Sequence, residues 1–179
     1  MYTIIGLGSA GCNVAELFEN GNYKVKLIDV DIEGENCFSL KQQKSPEDYE
    51  KNVPDLSSFF SDITDKVILV VGGSGKISGA SLQILKQIKH SELNLIYIRP
   101  DTQLLGNTAR MQDRLTFNVF QEYARSGIFK SIILISNSVI ENLVGDVSII
   151  DYNNTLNKVI YNAVDNYLGM SEKEAIIDN

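Results

Sequence analysis

The sequence is poor in the residues that most often build metal sites, disulfides and nucleophilic triads. Its 179 residues contain no Trp, three Pro, two Cys and a single His, at position 90. One histidine excludes most histidine-based metal sites and triads that need a histidine base. Because Cys12 and Cys37 alone do not form a disulfide framework, we expect a reduced, cytoplasmic setting.

Long apolar runs and an excess of positive charge are also missing. The longest fully apolar run is Val67–Val71, which is too short to cross a bilayer. No charged segment followed by a longer apolar stretch comes after Met1, so we expect neither a membrane segment nor a signal peptide. The net charge is −7, and we therefore expect no direct binding of nucleic acid, which requires clustered Lys and Arg.

The negative charge is concentrated in one segment. Between Asp29 and Asp65 there are ten acidic residues and three lysines. The segment also holds Pro46 and Pro54, which predicts a solvated loop along much of its length. Since its acidic residues lack the regular spacing of a cation-binding loop, we predict no metal site there.

The remainder reads as one α/β domain. Apolar residues make up 44% of the chain and charged residues 22%, which is typical of globular proteins. Short apolar, β-branched runs predict buried parallel strands, and they lie at Tyr2–Ile5, Lys24–Asp29, Lys66–Val71, Leu93–Ile98 and Ser131–Ile135. We place the domain at residues 1–168, with 169–179 as a tail or the start of a second domain.

Helical patterns alternate with these strands. They cover Cys12–Glu19, Ser78–Lys89, Ala109–Arg125 and Tyr152–Leu168. The residues predicted to face inward are Leu82, Leu85 and Ile88 in the second helix, Leu115, Val119 and Tyr123 in the third, and Leu156, Val159, Ile160, Ala163 and Val164 in the last. Strand–helix alternation predicts a doubly wound, mostly parallel sheet with helices on both faces, whose ligands bind beyond the carboxyl ends of the strands.

Two glycine-rich turns follow predicted strands. The first, here called the first glycine turn, spans Gly6–Gly11 and has the spacing GxGxxG before a helix. Glycine allows the backbone to approach a phosphate, and a helix start supplies free N–H donors. Asp29 and Asp31 follow the next strand and could accept a hydrogen bond from a ribose. Taken alone, this pattern indicates NAD(P) or FAD binding, or a tight turn with no ligand.

The second glycine turn, Gly72–Gly79, follows the third predicted strand. It is not a P-loop, because the turn lacks that motif's first glycine and Ile77 stands where the motif needs a hydroxyl residue. Two such turns at neighbouring strand ends favour several phosphates held mainly by backbone amides, with Ser74, Lys76 and Ser78 as added side-chain donors.

These motifs together resemble the tubulin/FtsZ superfamily of GTP-binding, filament-forming proteins. Gly6–Asn13 is similar to its opening segment, Asp29–Asp31 to its Asn-Thr-Asp turn, Gly73–Gly79 to its signature GGGTGTG, Arg99-Pro100 to its basic-Pro turn, Gly127-Ile128 to its Gly-Ile element and Ile135–Asn137 to its strand-end Pro-Asn. The resemblance runs through nearly the whole chain. It implies a Rossmann-like domain that binds GTP or GDP, allows Mg²⁺ beside the phosphates, and associates with itself into cytoskeletal filaments.

The resemblance also implies a set of ligand-binding residues. The turn residues are Gly6, Gly8, Ser9, Ala10, Gly11, Asn13, Asp31, Gly73, Ser74, Gly75, Lys76 and Ser78; those outside the turns are Arg110, Asn137, Tyr152, Asn153 and Asn157. Asn157 falls in the register of the base-reading residue, and its amide can both donate to and accept from guanine. Tyr152 could stack on the base, although the family's stacking register falls on Asn153.

Several positions depart from the family pattern. Ile77 replaces a glycine in the signature, and a β-branched residue does not readily adopt positive φ, so we expect that turn to take a different path or leave more room for the last phosphate. Leu105 stands where a ribose-binding glutamate is expected, and Arg110 is one residue out of register.

The residues that would hydrolyse GTP are not evident. Residues 170–179 include Glu172, Glu174 and Asp178 but no NxDxxD pattern. Hydrolysis would then need an acidic residue from a neighbouring subunit, and we assign no catalytic residue. Two alternatives stay open: an NAD(P)- or FAD-binding oxidoreductase or adenylating domain, and a nucleotide-free scaffold. Cys12 is interpreted as a packing residue and His90 as a surface residue.

Overall fold

A computed structural model of the chain describes residues 1–19, 21–145, 148 and 150–177, with the side chains of the last helix described up to residue 169. These residues contain six strands: β1 (Tyr2–Leu7), β2 (Lys24–Asp29), β3 (Cys37–Ser39), β4 (Lys66–Gly72), β5 (Glu92–Arg99) and β6 (Phe129–Ser136). The helices are α1 (Gly8–Ala15), α2 (Pro46–Lys51), α3 (Ser81–Gln87), α4 (Asn107–Arg125), α5 (Asn137–Val144) and α6 (Tyr152–Ile177), with short 3₁₀ turns at Glu16–Phe18 and Lys76–Ala80.

The strands form one parallel sheet in the order β3-β2-β1-β4-β5-β6. Chain order reverses between β1 and β4, and this is the point at which open α/β sheets leave a crevice for ligands. Leu7 pairs with Val71 across that boundary, so the two glycine turns leave the sheet side by side. The predicted doubly wound α/β class is confirmed.

Each face of the sheet carries its own apolar core. On one face α1, α5 and α6 cover the sheet, with Phe18, Ile140 and Ile160 buried. On the other face α2, α3 and α4 cover it, with Tyr49, Ile84 and Phe120 buried. Burial on both faces explains why the central strands read as unbroken apolar runs rather than as alternating ones.

The segment predicted as a solvated loop holds two elements. Strand β3 adds to the sheet edge beside β2, with Leu27 opposite Cys37. Helix α2 begins after Ser45, whose hydroxyl accepts a hydrogen bond from the amide of Asp48 at 3.1 Å. The loop prediction was therefore wrong at Cys37–Ser39 and Pro46–Lys51, because contact with β2 and side-chain capping outweighed the acidic, proline-containing composition.

The rotation of α4 also differs from the prediction. Leu115 and Val119 were expected inside, but they are 48% and 38% exposed, whereas Asp113, Thr116 and Phe120 are buried. Tyr123 and Leu82 are half-buried, and Ala163 of α6 is exposed rather than inward. Leu85, Ile88, Leu156, Ile160 and Val164 are buried as predicted.

Helix boundaries shift in two places. Helix α1 begins at Gly8 rather than Cys12, and α5 follows β6 directly, in a segment for which no helix was predicted. Helix α6 continues past residue 168 to Ile177. The side chains of Glu172 and Glu174, and all of Asp178, lie outside the described residues. In the described part of the chain, no helix is long and apolar enough to cross a membrane.

Candidate nucleotide site

The first glycine turn is held by close backbone contacts. A side chain at Gly11 would place its Cβ 2.2 Å from the carbonyl oxygen of Val70, and one at Gly6 would lie 2.8 Å from the Cα of Cys12. Gly8 has a φ of +69°, a conformation that L-residues with a side chain rarely adopt. These three glycines are therefore required by the fold, whether or not a ligand binds.

Among the described residues, no side chain caps the start of α1. Leu7 makes no side-chain hydrogen bond to the first turn, and that turn holds no acidic residue. In contrast, α2 has Ser45 as its cap and Glu47 and Asp48 in its first turn. Since the first N–H groups of a helix have no partner within it, α1 presents free donors and the positive end of its dipole, beside the exposed residues Ser9 and Ala10.

The second glycine turn contacts the first. A side chain at Gly72 would place its Cβ 2.9 Å from that of Ala10, and one at Gly8 would lie 2.5 Å from a methyl carbon of Ile77. Ile77 is in a 3₁₀ turn and, like every described non-glycine residue except Asp31, has no positive φ. The side chain of Ile77 therefore packs against Gly8, between the two turns.

Gly75 differs from its neighbours. Its φ of −81° and ψ of 140° suit any residue, and a Cβ there would meet only Ile77, at 3.8 Å. Packing does not require a glycine at this exposed position. A different reason for glycine at this position is that it allows a ligand to approach the backbone closely.

Some polar side chains of the second glycine turn are hydrogen-bonded within the protein, and others are accessible to a ligand. Ser78 is buried, donates to the Gly75 carbonyl at 2.7 Å, and lies within hydrogen-bond distance of Thr116 and Gln112. Its hydroxyl therefore fixes the turn to α4. Lys76 is exposed and Ser74 half-buried, and both remain accessible to a ligand.

A buried polar cluster below Gly73 was not predicted. Asp113 accepts from the Tyr97 hydroxyl at 2.8 Å and from Nε of Arg99 at 3.3 Å. Burial, followed by the bond to Asp113, raises the pKa of Tyr97. A Cβ at Gly73 would lie 1.9 Å from the Tyr97 hydroxyl. The cluster therefore supports the second turn from beneath, and it accounts for the rotation of α4 that places Asp113 inside.

Near β2, Asp29 already has partners. It accepts from the Ser9 hydroxyl at 3.0 Å and from the amide of Val30 at 2.8 Å. Asp31 is exposed with a φ of +56°, and its amide donates to Ser39. The Ser9–Asp29 bond joins the end of β2 to the start of α1, so a carboxylate borders the free helix start.

The predicted residues beyond β5 and β6 lie at the same edge of the sheet but are less tightly organised. Arg110 is exposed and donates to the Leu105 carbonyl at 3.2 Å. Asn137 begins α5, and its buried Oδ1 has no hydrogen-bond partner among the described residues. An unpaired buried carbonyl is costly, but this oxygen is closed to solvent and is not presented to a ligand.

At the start of α6, Tyr152 donates to Glu141 of α5, and this bond raises the pKa of Tyr152 to about 12. That contact fixes the ring but leaves it half-buried. Asn13 and Asn153 are exposed, and Asn157 is half-buried one turn into α6.

Cys12 and His90 lie in different surroundings. Cys12 is buried, its thiol faces the carbonyls of Gly6 and Ile28 at 3.5 Å, and burial raises its pKa to about 12; its interpretation as a packing residue is confirmed. His90 is exposed, as predicted. Among the described residues no group of three or more His, Cys, Asp or Glu could hold a metal ion.

Comparison of the chain with protein-family models and with curated proteins found no match.

Proposed function

We propose that this chain binds a guanine nucleotide, GTP or GDP, at the carboxyl edge of its sheet, with the phosphates on the two glycine turns. The observation that carries the proposal is the uncapped start of α1 at the β1–β4 boundary. Free amide donors and the helix dipole favour an anion at that point. Gly75, for which packing gives no reason, supports a second phosphate contact.

The choice of guanine rests on the resemblance to the tubulin/FtsZ superfamily and on one amide. Asn157 is half-buried, and its side chain can both donate and accept along a guanine edge. Nucleotide would act as a switch that orders the turns and favours self-association. Met111 and Leu115, exposed apolar side chains one turn apart on α4, support that part of the proposal, since exposed apolar surface often marks an interface.

One observation favours a different ligand. Asp29 ends β2, where dinucleotide-binding domains carry an acidic residue that accepts from a ribose hydroxyl, and its bond to Ser9 places it beside α1. NAD(P) or FAD is therefore the second candidate.

A thermal-shift panel with GTP, GDP, ATP, NADH, NADPH and FAD, with and without Mg²⁺, separates the two. A ligand at one hundred times its Kd adds about 2.7 kcal/mol of stability, which is readily seen. Stabilisation by guanine nucleotides alone is expected. Stabilisation by a dinucleotide would replace the proposal with the second candidate, and no response to any ligand would leave the scaffold alternative.

The role of Asn157 in recognising the base can be tested with a separate variant. Asn157→Ala is expected to weaken GTP binding by about 1–3 kcal/mol and to erode the preference over ATP. Asn162→Ala, an exposed asparagine on the same helix, is the matched control and should leave both affinities unchanged. Unaltered selectivity in Asn157→Ala would place base reading elsewhere.

A further inference from the structure

The two edges of the sheet differ in length. An edge strand has unpaired N–H and C=O groups along one side, and proteins shield such edges with short strands, charged side chains, proline or β-bulges. Strand β3 forms one edge with three residues, Cys37–Ser39. Strand β6 forms the other edge with eight, Phe129–Ser136. The β6 edge is therefore the longer template for pairing with another strand.

The shielding features of β6 lie near its first residues. A β-bulge leaves Lys130 as an extra residue at the start of the strand, and its Nζ donates to Glu92 of β5 at 2.9 Å. The charge is thus tied to the neighbouring strand. The six residues Ser131–Ser136 include no charged residue, proline or glycine. Along these residues the strand lacks the usual obstacles to pairing.

The middle of β6 is also poorly covered. Within the described part of the chain, no strand pairs with its outer side. In β5 all residues of Leu95–Ile98 are buried, whereas Ile132 and Ile133 of β6 are half-buried and Leu134 is 47% exposed. Ile132 and Leu134 line an open groove of about 310 Å³ beside α4. A strand that paired with β6 would therefore bury apolar surface in addition to forming backbone hydrogen bonds.

The position of one charge favours a second copy of this chain as the partner. Lys130 is the only charged residue of β6 and lies near one end of the strand. When two copies pair antiparallel, the two lysines lie at opposite ends of the contact. Parallel pairing would place them side by side, where like charges repel. A twofold axis produces the antiparallel arrangement, and twofold dimers are the commonest protein assemblies.

The distribution of the net charge allows two copies to approach each other at this edge. The charge of −7 arises within Asp29–Asp65, so the remainder of the chain is neutral. That segment begins at the end of β2 and includes β3, at the far side of the sheet. Since strands are about 4.8 Å apart, β2 lies about 19 Å from β6, well beyond the screening length of about 8 Å. Repulsion between copies is therefore weaker at the β6 edge than at the β3 edge.

The backbone of β6 limits the register of such a pair. Alternate residues of β6 bond to β5, and the residues between them direct both N–H and C=O outward. In an antiparallel ladder, residues with outward groups must face each other, so facing positions differ by an even number. Centring the pair on Ile133 gives the longest such ladder that does not place Lys130 opposite an apolar residue. Lys130 then faces the partner's Ser136, and Ile132 faces the partner's Leu134.

We propose that two copies of this chain pair antiparallel through β6, centred on Ile133, and form one continuous sheet. The exposed Leu134 of each copy is then covered by the partner's Ile132. This contact goes beyond the proposed function, because it uses the outer side of β6 and needs no nucleotide.

Sedimentation equilibrium of the full chain without nucleotide tests the proposal. From about 1 µM to about 1 mM, a range that spans weak and moderate affinities, the mass should rise from that of one chain towards that of two. A monomer over the whole range would overturn the proposal. A dimer that formed only with GTP would also overturn it and would instead support the proposed function. Hydrogen-exchange protection of all β6 amides in the monomer would contradict it too, since a segment of the same chain would then cover the edge.

Leu134→Lys places a charge where the partner's Ile132 would pack. Because Leu134 is exposed, the variant should fold, and we expect dimerisation to be weakened at least about tenfold, since burying a lysine without a counter-ion is costly. Leu143→Lys, at another exposed leucine on α5, is the matched control and should dimerise as the unaltered chain does. No weakening in Leu134→Lys, or equal weakening in both variants, would refute the contact.

Single cysteines in β6 test the register. Ile133→Cys should form disulfide-linked dimers fastest, because facing Cβ atoms lie about 4.5–5.5 Å apart. In Ser131→Cys the two thiols would be four residues out of register, about 13 Å apart, and should link at least about tenfold more slowly. The unaltered chain, which holds Cys12 and Cys37, gives the background rate. Faster linkage in Ser131→Cys, or none above background in either variant, would rule out pairing centred on Ile133.

Discussion

In the first glycine turn every glycine is required by the fold, whereas in the second turn Gly75 is not. Gly6 and Gly11 meet neighbouring backbone, and Gly8 has a positive φ. Gly75 has ordinary dihedral angles and open space around it. The comparison teaches that a GxGxxG spacing is accounted for by strand–helix packing alone. A glycine that packing does not require is therefore stronger evidence for a ligand than the spacing itself.

The largest expected effect is in the first turn. Gly11→Ala forces a Cβ to within 2.2 Å of the Val70 carbonyl oxygen, and both groups are backbone or fixed to it. We expect a loss of about 3 kcal/mol in the free energy of unfolding, the upper end of the usual range for overpacking. Urea denaturation measures it. A loss below 1 kcal/mol, within the range of ordinary surface changes, would show that this turn is not tightly packed.

The contact between the two turns is the next feature to break. Ile77→Ala removes the side chain that packs against Gly8. Because Ile77 is half-buried, we expect a loss of about 1–2 kcal/mol in stability, below the range for a fully buried site. The change opens space between the turns, so GTP affinity should rise if phosphates bind there.

Thermal-shift and calorimetric titration of Ile77→Ala give both quantities. Val30→Ala, in which another half-buried β-branched residue of the same core is truncated, is a control for lost packing. If GTP binds Ile77→Ala less well than it binds Val30→Ala, the two turns do not form one phosphate site.

The burial of Cys12 behind the first turn predicts a pH dependence. Its pKa is about 12, against an ordinary value of 9.0. A raised pKa means that its contribution to stability is complete below pH 9 and is lost between pH 9 and 12. The destabilisation caused by Cys12→Ala should therefore be about 1 kcal/mol smaller at pH 10 than at pH 7.

Denaturation of both forms at the two pH values measures this difference. Cys37→Ala, whose thiol is less buried, is the matched control and should show a smaller change. An equal change in both variants would mean that the first turn does not exclude water from Cys12.

The smallest expected effect on stability is at Gly75 of the second glycine turn. Gly75→Ala is expected to raise stability by about 0.4–1 kcal/mol, because alanine lowers the entropy of the unfolded chain and fits the native dihedral angles.

Gly75→Val should fold and yet bind GTP poorly, whereas Gly169→Val, at an open position on α6, should leave binding intact. Gly8→Val is not a clean test, because its φ of +69° and the contact with Ile77 would disturb the fold. Full GTP affinity in Gly75→Val would remove the second turn from the site.

Much of the fold follows from local pattern. The run at Lys66–Val71 is dense in apolar residues and became a central strand, because parallel strands are buried on both faces. Strand β3 was missed since it has three residues in an acidic segment. Its place comes from pairing with β2, which no local pattern encodes.

The sequence by itself determined the α/β class, the buried strands and the position of two glycine turns at strand ends, because apolar periodicity and glycine placement are local properties. Only the tertiary structure decided which face of α4 is buried, since the polar contact of Asp113 with Tyr97 and Arg99 joins residues 14 or more positions apart. It also decided that Ile77 packs against Gly8. Such features depend on contacts between distant segments, and these exist only once the sheet has formed.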